Sequence, residues 1–118
     1  MGKSVLRDKS YVFSIRVVRL MQYLQNDCKE YVLSKQVSRS GTAIGALIRE
    51  AEFGQSHPDF IHKMSIALKE ANETDYWLSI LHDTDYINTD LYQSLQNDCK
   101  ELIAILVASL KTLKKVKN

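Results

Sequence analysis

The chain has no apolar run near the ~20 residues that a membrane-spanning helix needs. Its start, MGKSVLRDKS, has no apolar stretch long enough for a secretory signal, so the expected compartment is the cytoplasm, with no membrane partner. Proline occurs once and glycine four times, which with abundant Leu, Ile, Lys, Glu and Gln favours helix over sheet. Only two cysteines are present, too few for a disulfide scaffold, and reduced, packed thiols are the expectation. Histidine occurs three times. His62 and His82 fall on one expected helix but about 200° apart around its axis, so they cannot share a metal within one chain. His57 falls in a cap region, and the Glu-x-x-His pattern of di-iron bundles is missing. No cofactor is therefore expected.

What is present is amphipathic helix. The 118 residues are 45% apolar, suited to a single domain spanning residues 1–118 with a core of its own. Apolar residues recur at spacings of three and four in four segments. The first stripe is Phe13, Val17, Leu20 and Leu24, from a helix starting near Lys9. The second is Leu33, Val37, Gly41, Ile44 and Ile48, widened by Leu47 and Ala51. Phe60, Met64, Ala67, Leu68, Ala71, Leu78 and Leu81 make the third, and Leu91, Leu95, Leu102, Leu106, Leu110 and Leu113 the fourth. Short connections make neighbours antiparallel, so the expected fold is an all-α, up-and-down four-helix bundle.

The heptapeptide LQNDCKE occurs twice, at residues 24–30 and 95–101. Around the second copy the stripe runs unbroken through Leu95, Cys99, Leu102 and Leu106, which places Cys99 inside a helix as a small packed group. Around the first copy the phase fails, and Asp27 with Glu30 three residues on predicts a turn and a helix start. Gly54 is expected to end the second helix, with Ser56 and Asp59 as a cap pair and Pro58 in the next first turn. Asn88 or Thr89 is expected to open the fourth helix.

Charge is segregated. Residues 1–49 carry a net +6, residues 50–101 a net −8, and the tail from residue 102 adds four lysines without an acid. A basic surface of this kind suits phosphates, while a bundle could equally set opposite blocks against each other. SRSGTAIG, residues 38–45, lacks the strand and the GK[ST] ending of a phosphate loop; Ser40, Gly41, Ala43, Gly45 and Ala46 read instead as a small-residue helix face for close packing. Glu70 and Glu73 share a face and, with Arg39 or Arg49 and Glu50, are expected to form an interhelical polar network. No nucleophile, base and oxyanion donor stand beside them as a set, so no catalytic residue is assigned. Tyr76 and Trp77 read as packing or interface residues.

SRSGTAIGALIREA followed by DFIHKMSIALKEANETDYWLSILHDTDYI closely resembles the bacterial four-helix-bundle family named for proteins encoded in intervening sequences of large-subunit ribosomal RNA genes. The likeness is dense from Leu33 to Ile87, with SGTAIG, REA, FIHK and ETDYWL as its specific motifs; the outer helices match by pattern. Leu47 departs, where relatives often carry asparagine. The resemblance implies an antiparallel bundle, ring-like homopentamers and no catalytic residues. A related branch, the accessory proteins of diversity-generating retroelements, forms a basic barrel that binds a reverse transcriptase and nucleic acid.

The resulting expectation is a non-enzymatic scaffold that self-associates and meets RNA, DNA or a nucleoprotein or reverse-transcriptase-like partner. Candidate contacts are Arg7, Lys9, Arg16 and Arg19 on the first helix and Lys111, Lys114, Lys115 and Lys117 on the fourth. The alternative is a protein-binding assembly module without nucleic-acid affinity. Apolar residues beyond the core stripes, Val12, Ile15 and Val18 on the first helix and Ile103, Ile105 and Val107 on the fourth, favour more than one copy.

Overall fold

The computed structural model describes the backbone of residues 2–117 and the side chains of residues 5–114. Four helices follow one another: α1 (Gly2–Asn26), α2 (Leu33–Glu52), α3 (His57–Asp83) and α4 (Thr89–Lys117). Among the described residues there is no strand. Among the described residues each helix touches its two neighbours around the bundle and not the helix diagonally opposite, which is the antiparallel up-and-down arrangement. The body is 49 Å long and 22 by 20 Å across.

The core is the four expected stripes turned inward. Phe13, Val17, Leu24, Val37, Ile44, Leu78, Leu95 and Leu106 are at most 1% exposed. The α1 stripe reaches further back than expected. The helix begins at Gly2 rather than near Lys9, because Leu6 and Ser10 continue the face of Phe13 at helical spacing and are buried with it.

The first turn corrects one sequence expectation. α2 starts at Leu33, and Glu30 rather than Asp27 caps it. The Glu30 carboxylate accepts from the backbone N–H groups of Val32, Leu33 and Ser34 at 3.1, 2.9 and 2.7 Å. A helix start leaves such N–H groups without intrahelical partners, and a negative charge there also suits the helix dipole. Lys29, in left-handed backbone at φ 55°, turns the chain so that Glu30 can reach. The first LQNDCKE copy is thus a helix end, a turn and a cap. Glu30→Ala should lower the unfolding free energy by about 1–2 kcal/mol, read as a lower urea midpoint; an unchanged midpoint would remove this role.

The other boundaries follow the sequence closely. Gly54 N–H closes α2 on the Ala51 carbonyl at 3.0 Å, and Ser56 Oγ accepts from Asp59 N–H at 3.2 Å. Asn88 is the cap of α4, its Oδ1 accepting from Leu91 N–H at 2.8 Å.

The small residues of α2 are where two neighbours come close. Gly41 and Gly45 meet α1, where a Cβ on Gly41 would lie 2.8 Å from both methyls of Val17. On the α3 side, the fully buried hydroxyls of Ser40 and Thr74 meet at 2.9 Å. Ala46, on the same expected face, is exposed instead. The second LQNDCKE copy is helix interior. Cys99 Sγ donates to the Ala71 carbonyl at 3.2 Å, and burial, with Asp75 nearby, pushes its thiol up to about 12. A thiol so protonated is no nucleophile at neutral pH.

Candidate interaction surface

The basic candidates on α1 divide by their position around the helix. Arg16 reaches α4, with Nη1 2.7 Å from Asp98 Oδ2 and Nη2 donating to Ser94 Oγ at 3.0 Å. Lys9 Nζ stands 3.1 Å from Glu101 Oε2. Arg7 Nη1 lies 3.6 Å from Glu52 on α2, and its Nε 3.8 Å from Asp8. These three cations tie α1 to acids of its neighbours, as opposite charge blocks across a bundle would. Arg19 is exposed and, among the described residues, makes only a 3.4 Å hydrogen bond to Gln22. Lys111 and Lys114 are exposed near the end of α4, with no ion pair among the described residues. The side chains of Lys115 and Lys117 lie outside the described residues.

The polar network between α2 and α3 is present with one member changed. Arg39 bridges Glu70, at 3.3 Å, and Glu73. Glu73 also accepts from the Trp77 indole N–H at 3.0 Å. The indole bond first and the Arg39 guanidinium second hold the Glu73 carboxyl below its usual range, and Glu73 and Glu70 together raise Arg39. Glu50 pairs with Lys63 at 2.8 Å, which raises the lysine. Arg49 takes no part. Its guanidinium carbon sits 5.4 Å from the ring centre of Tyr11 on α1, because its place near the α2 C-terminus turns it toward α1 rather than toward Glu70. Each carboxylate of the α2–α3 network thus meets a cation, and Glu73, held below its usual range, stays charged in structural service.

A second polar cluster joins α3 and α4. The Tyr92 hydroxyl is 3.0 Å from Ser79 Oγ and accepts from Gln96 Nε2 at 2.7 Å, and Gln96 also reaches Asp75 at 3.2 Å. The Tyr92 ring stacks on His82 at 4.5 Å, whose two nitrogens meet Asp83 at 3.0 Å and Thr89 at 3.1 Å. Sequence reading missed this cluster. Its signal was two i, i+4 polar pairs, Asp75/Ser79 and Tyr92/Gln96, but nothing in the sequence sets their register across two helices. Among the described residues, no group of three or more His, Cys, Asp or Glu side chains could hold a metal. No helix there is long and apolar enough to cross a membrane.

The outer face of α1 is the unusual surface. Val5, Tyr11, Val12 and Ile15 are 45%, 55%, 57% and 44% exposed, while Phe13 and Val17 on the opposite face are buried. α1 therefore carries apolar residues on its outer side too, interspersed with exposed Asp8 and Arg19, and one bundle leaves that side uncovered. The α4 residues expected to extend this surface do so less, since Ile103 and Ile105 pack against the core.

The comparisons with known proteins agree with this architecture. The family described as 23S rRNA-intervening sequence protein matches over residues 3–108. No curated protein matches the chain. A solved structure from Bacteroides thetaiotaomicron VPI-5482, described as a protein with unknown function from the S23 ribosomal protein family, is 52% identical. The alignment covers 94% of this chain and 99% of that one, with a TM-score of 0.93. With the match running through all four helices, the chain belongs to the 23S rRNA-intervening sequence protein family.

Proposed function

We propose that the chain is a non-enzymatic cytoplasmic scaffold, built from several copies joined through the outer face of α1, that offers the α4 lysines to RNA or to a nucleoprotein partner. The observation that carries it is the exposed apolar row of Val5, Tyr11, Val12 and Ile15 on α1, which a second protein surface would cover. In a cyclic assembly whose axis runs along the bundles, every copy points its α4 C-terminus the same way. Lys111 and Lys114, without an ion pair among the described residues, would then gather on one side as a basic rim. The family name and the ribosomal description of the solved relative support an RNA-linked setting. Arg7, Lys9 and Arg16 favour the second reading, a protein-only assembly module, because acids of the same chain already hold them.

Salt dependence separates the two. Affinity for a fluorescent RNA should fall linearly on logarithmic axes as salt rises, each phosphate contact adding about 0.7–0.9 to the slope. Replacing Lys111 and Lys114 by glutamate should weaken binding and flatten that slope. Absence of RNA or DNA binding at low salt would leave the protein-only module.

A further inference from the structure

Two outward stripes of the bundle match each other. On α1, exposed Val5, Asp8, Val12, Ile15 and Arg19 follow one another at steps of three and four along one line of the helix. On α2, Arg39, Thr42, Ala46, Arg49 and Phe53 do the same, with Thr42 half-buried and the rest exposed. Phe53, at 83%, is the most exposed large apolar side chain among the described residues.

Contacts inside the bundle fix which residues stand at equal height. Arg7 meets Glu52, Val17 lies against Gly41, and Gln25 Nε2 donates to Ser34 Oγ at 3.2 Å. Between these anchors, two antiparallel helices place Val5 level with Phe53, Asp8 with Arg49, Val12 with Ala46, Ile15 with Thr42 and Arg19 with Arg39. In a ring whose axis runs along the bundles, neighbouring copies sit at one height. α1 of one copy and α2 of the next would then meet in this register. Phe53 would cover Val5, while the smaller Ala46 and Thr42 would receive Val12 and Ile15. Asp8, with its side chain 77% exposed and Arg7 at 3.8 Å, would face Arg49, which has no ion pair among the described residues. Arg19 would arrive beside Arg39, whose one positive charge holds both Glu70 and Glu73 and leaves a negative charge over. The outward side of α4 matches less well. Its heights, fixed by Lys9–Glu101 and Arg16–Asp98, set exposed Lys100 and Asn97 against Val12 and Ile15, and a buried charge there is costly.

We propose that a second copy of the chain covers the α1 stripe with its α2 stripe, one heterologous contact repeated around a closed ring. This rests on the self-association reading above and names the surface that meets α1.

Cysteine pairing tests it, in a chain carrying Cys28→Ser so that buried Cys99 is the sole native thiol. Val12→Cys together with Ala46→Cys, oxidised by diamide, should give a ladder of covalent multiples of 13.5 kDa on a denaturing gel. Either change alone, or Val12→Cys with Lys100→Cys, should give none. Crosslinked copies from Val12→Cys alone would mean that α1 meets α1, and a ladder through Lys100→Cys that it meets α4; each overturns the contact. A chain that sediments as several copies yet forms no ladder through Ala46→Cys would also overturn it, with self-association left standing. A chain that sediments as one copy would remove both.

Discussion

Gly41→Leu should unfold the bundle or lower its unfolding free energy by at least about 3 kcal/mol, a large share of the roughly 5–15 kcal/mol that holds a domain together. The reason is local. A Cβ at residue 41 already falls 2.8 Å from both Val17 methyls, and a leucine adds three more carbons beyond it. Val17 cannot swing away, because a β-branched side chain in a helix has one favoured rotamer and this one is fully buried. Gly41→Ala should cost about 1–2 kcal/mol net, overpacking of roughly 1–3 kcal/mol being partly offset by the ~1 kcal/mol helix preference of alanine over glycine. Val17→Ala in the same chain should remove most of that penalty, since the two sites are in contact and their effects should not add.

Gly45 is the internal control. There the added Cβ would meet Ser10 and Ser14 oxygens at 3.4 Å, a tolerable distance. Gly45→Ala should be neutral or stabilise by up to about 1 kcal/mol. Urea unfolding at one fixed protein concentration, so that self-association contributes alike to each variant, would show the contrast. Equal costs at 41 and 45 would mean that Gly41 is not the point of closest approach between α1 and α2.

That pair of glycines also marks what could be read without the structure. The spacing of SGTAIG showed small residues on a helix face, and the buried Ser40, Gly41 and Gly45 are that face. Helix type and order were legible for the same reason: each stripe depends only on residues three or four apart. The α1–α2 turn was misread by a few residues because Asp27 and Glu30 are both cap-forming types. Only the left-handed Lys29, a conformational fact without a sequence signal, decides between them. The polar contacts fared according to how local they were. Arg39 with Glu70 and Glu73 could be anticipated from a shared helix face, whereas Arg49 over Tyr11 depends on which neighbour its end of α2 confronts. The charge blocks were visible, but not that Arg7, Lys9 and Arg16 would each find an acid partner on a neighbouring helix.

The chain carrying Val12→Lys and Ile15→Lys should sediment as a single 13.5 kDa copy at low micromolar concentration, where the unaltered chain should run several times heavier. Val12 and Ile15 are three apart, neighbours on the outward side of α1, and both are about half exposed. Covering two such side chains between copies contributes on the order of 1–2 kcal/mol each, and leaving a lysine charge there instead costs more than that contribution. Lysine is the better probe than glutamate at residue 12 because the groove beside Val12, between α1 and α4, is lined by three acids, Asp8, Asp98 and Glu101, against one cation, Lys9. A new cation meets those acids favourably within one copy, so the single bundle should keep its helix content and its unfolding midpoint. A glutamate would repel them and confuse lost assembly with lost stability. Phe13 and Val17, facing the core, are untouched by either change. If the unaltered chain already sediments at 13.5 kDa, the exposed row on α1 is not a self-association face. If the doubly substituted chain stays heavy, copies meet elsewhere, and the basic rim of Lys111 and Lys114 loses the arrangement that would bring the lysines together.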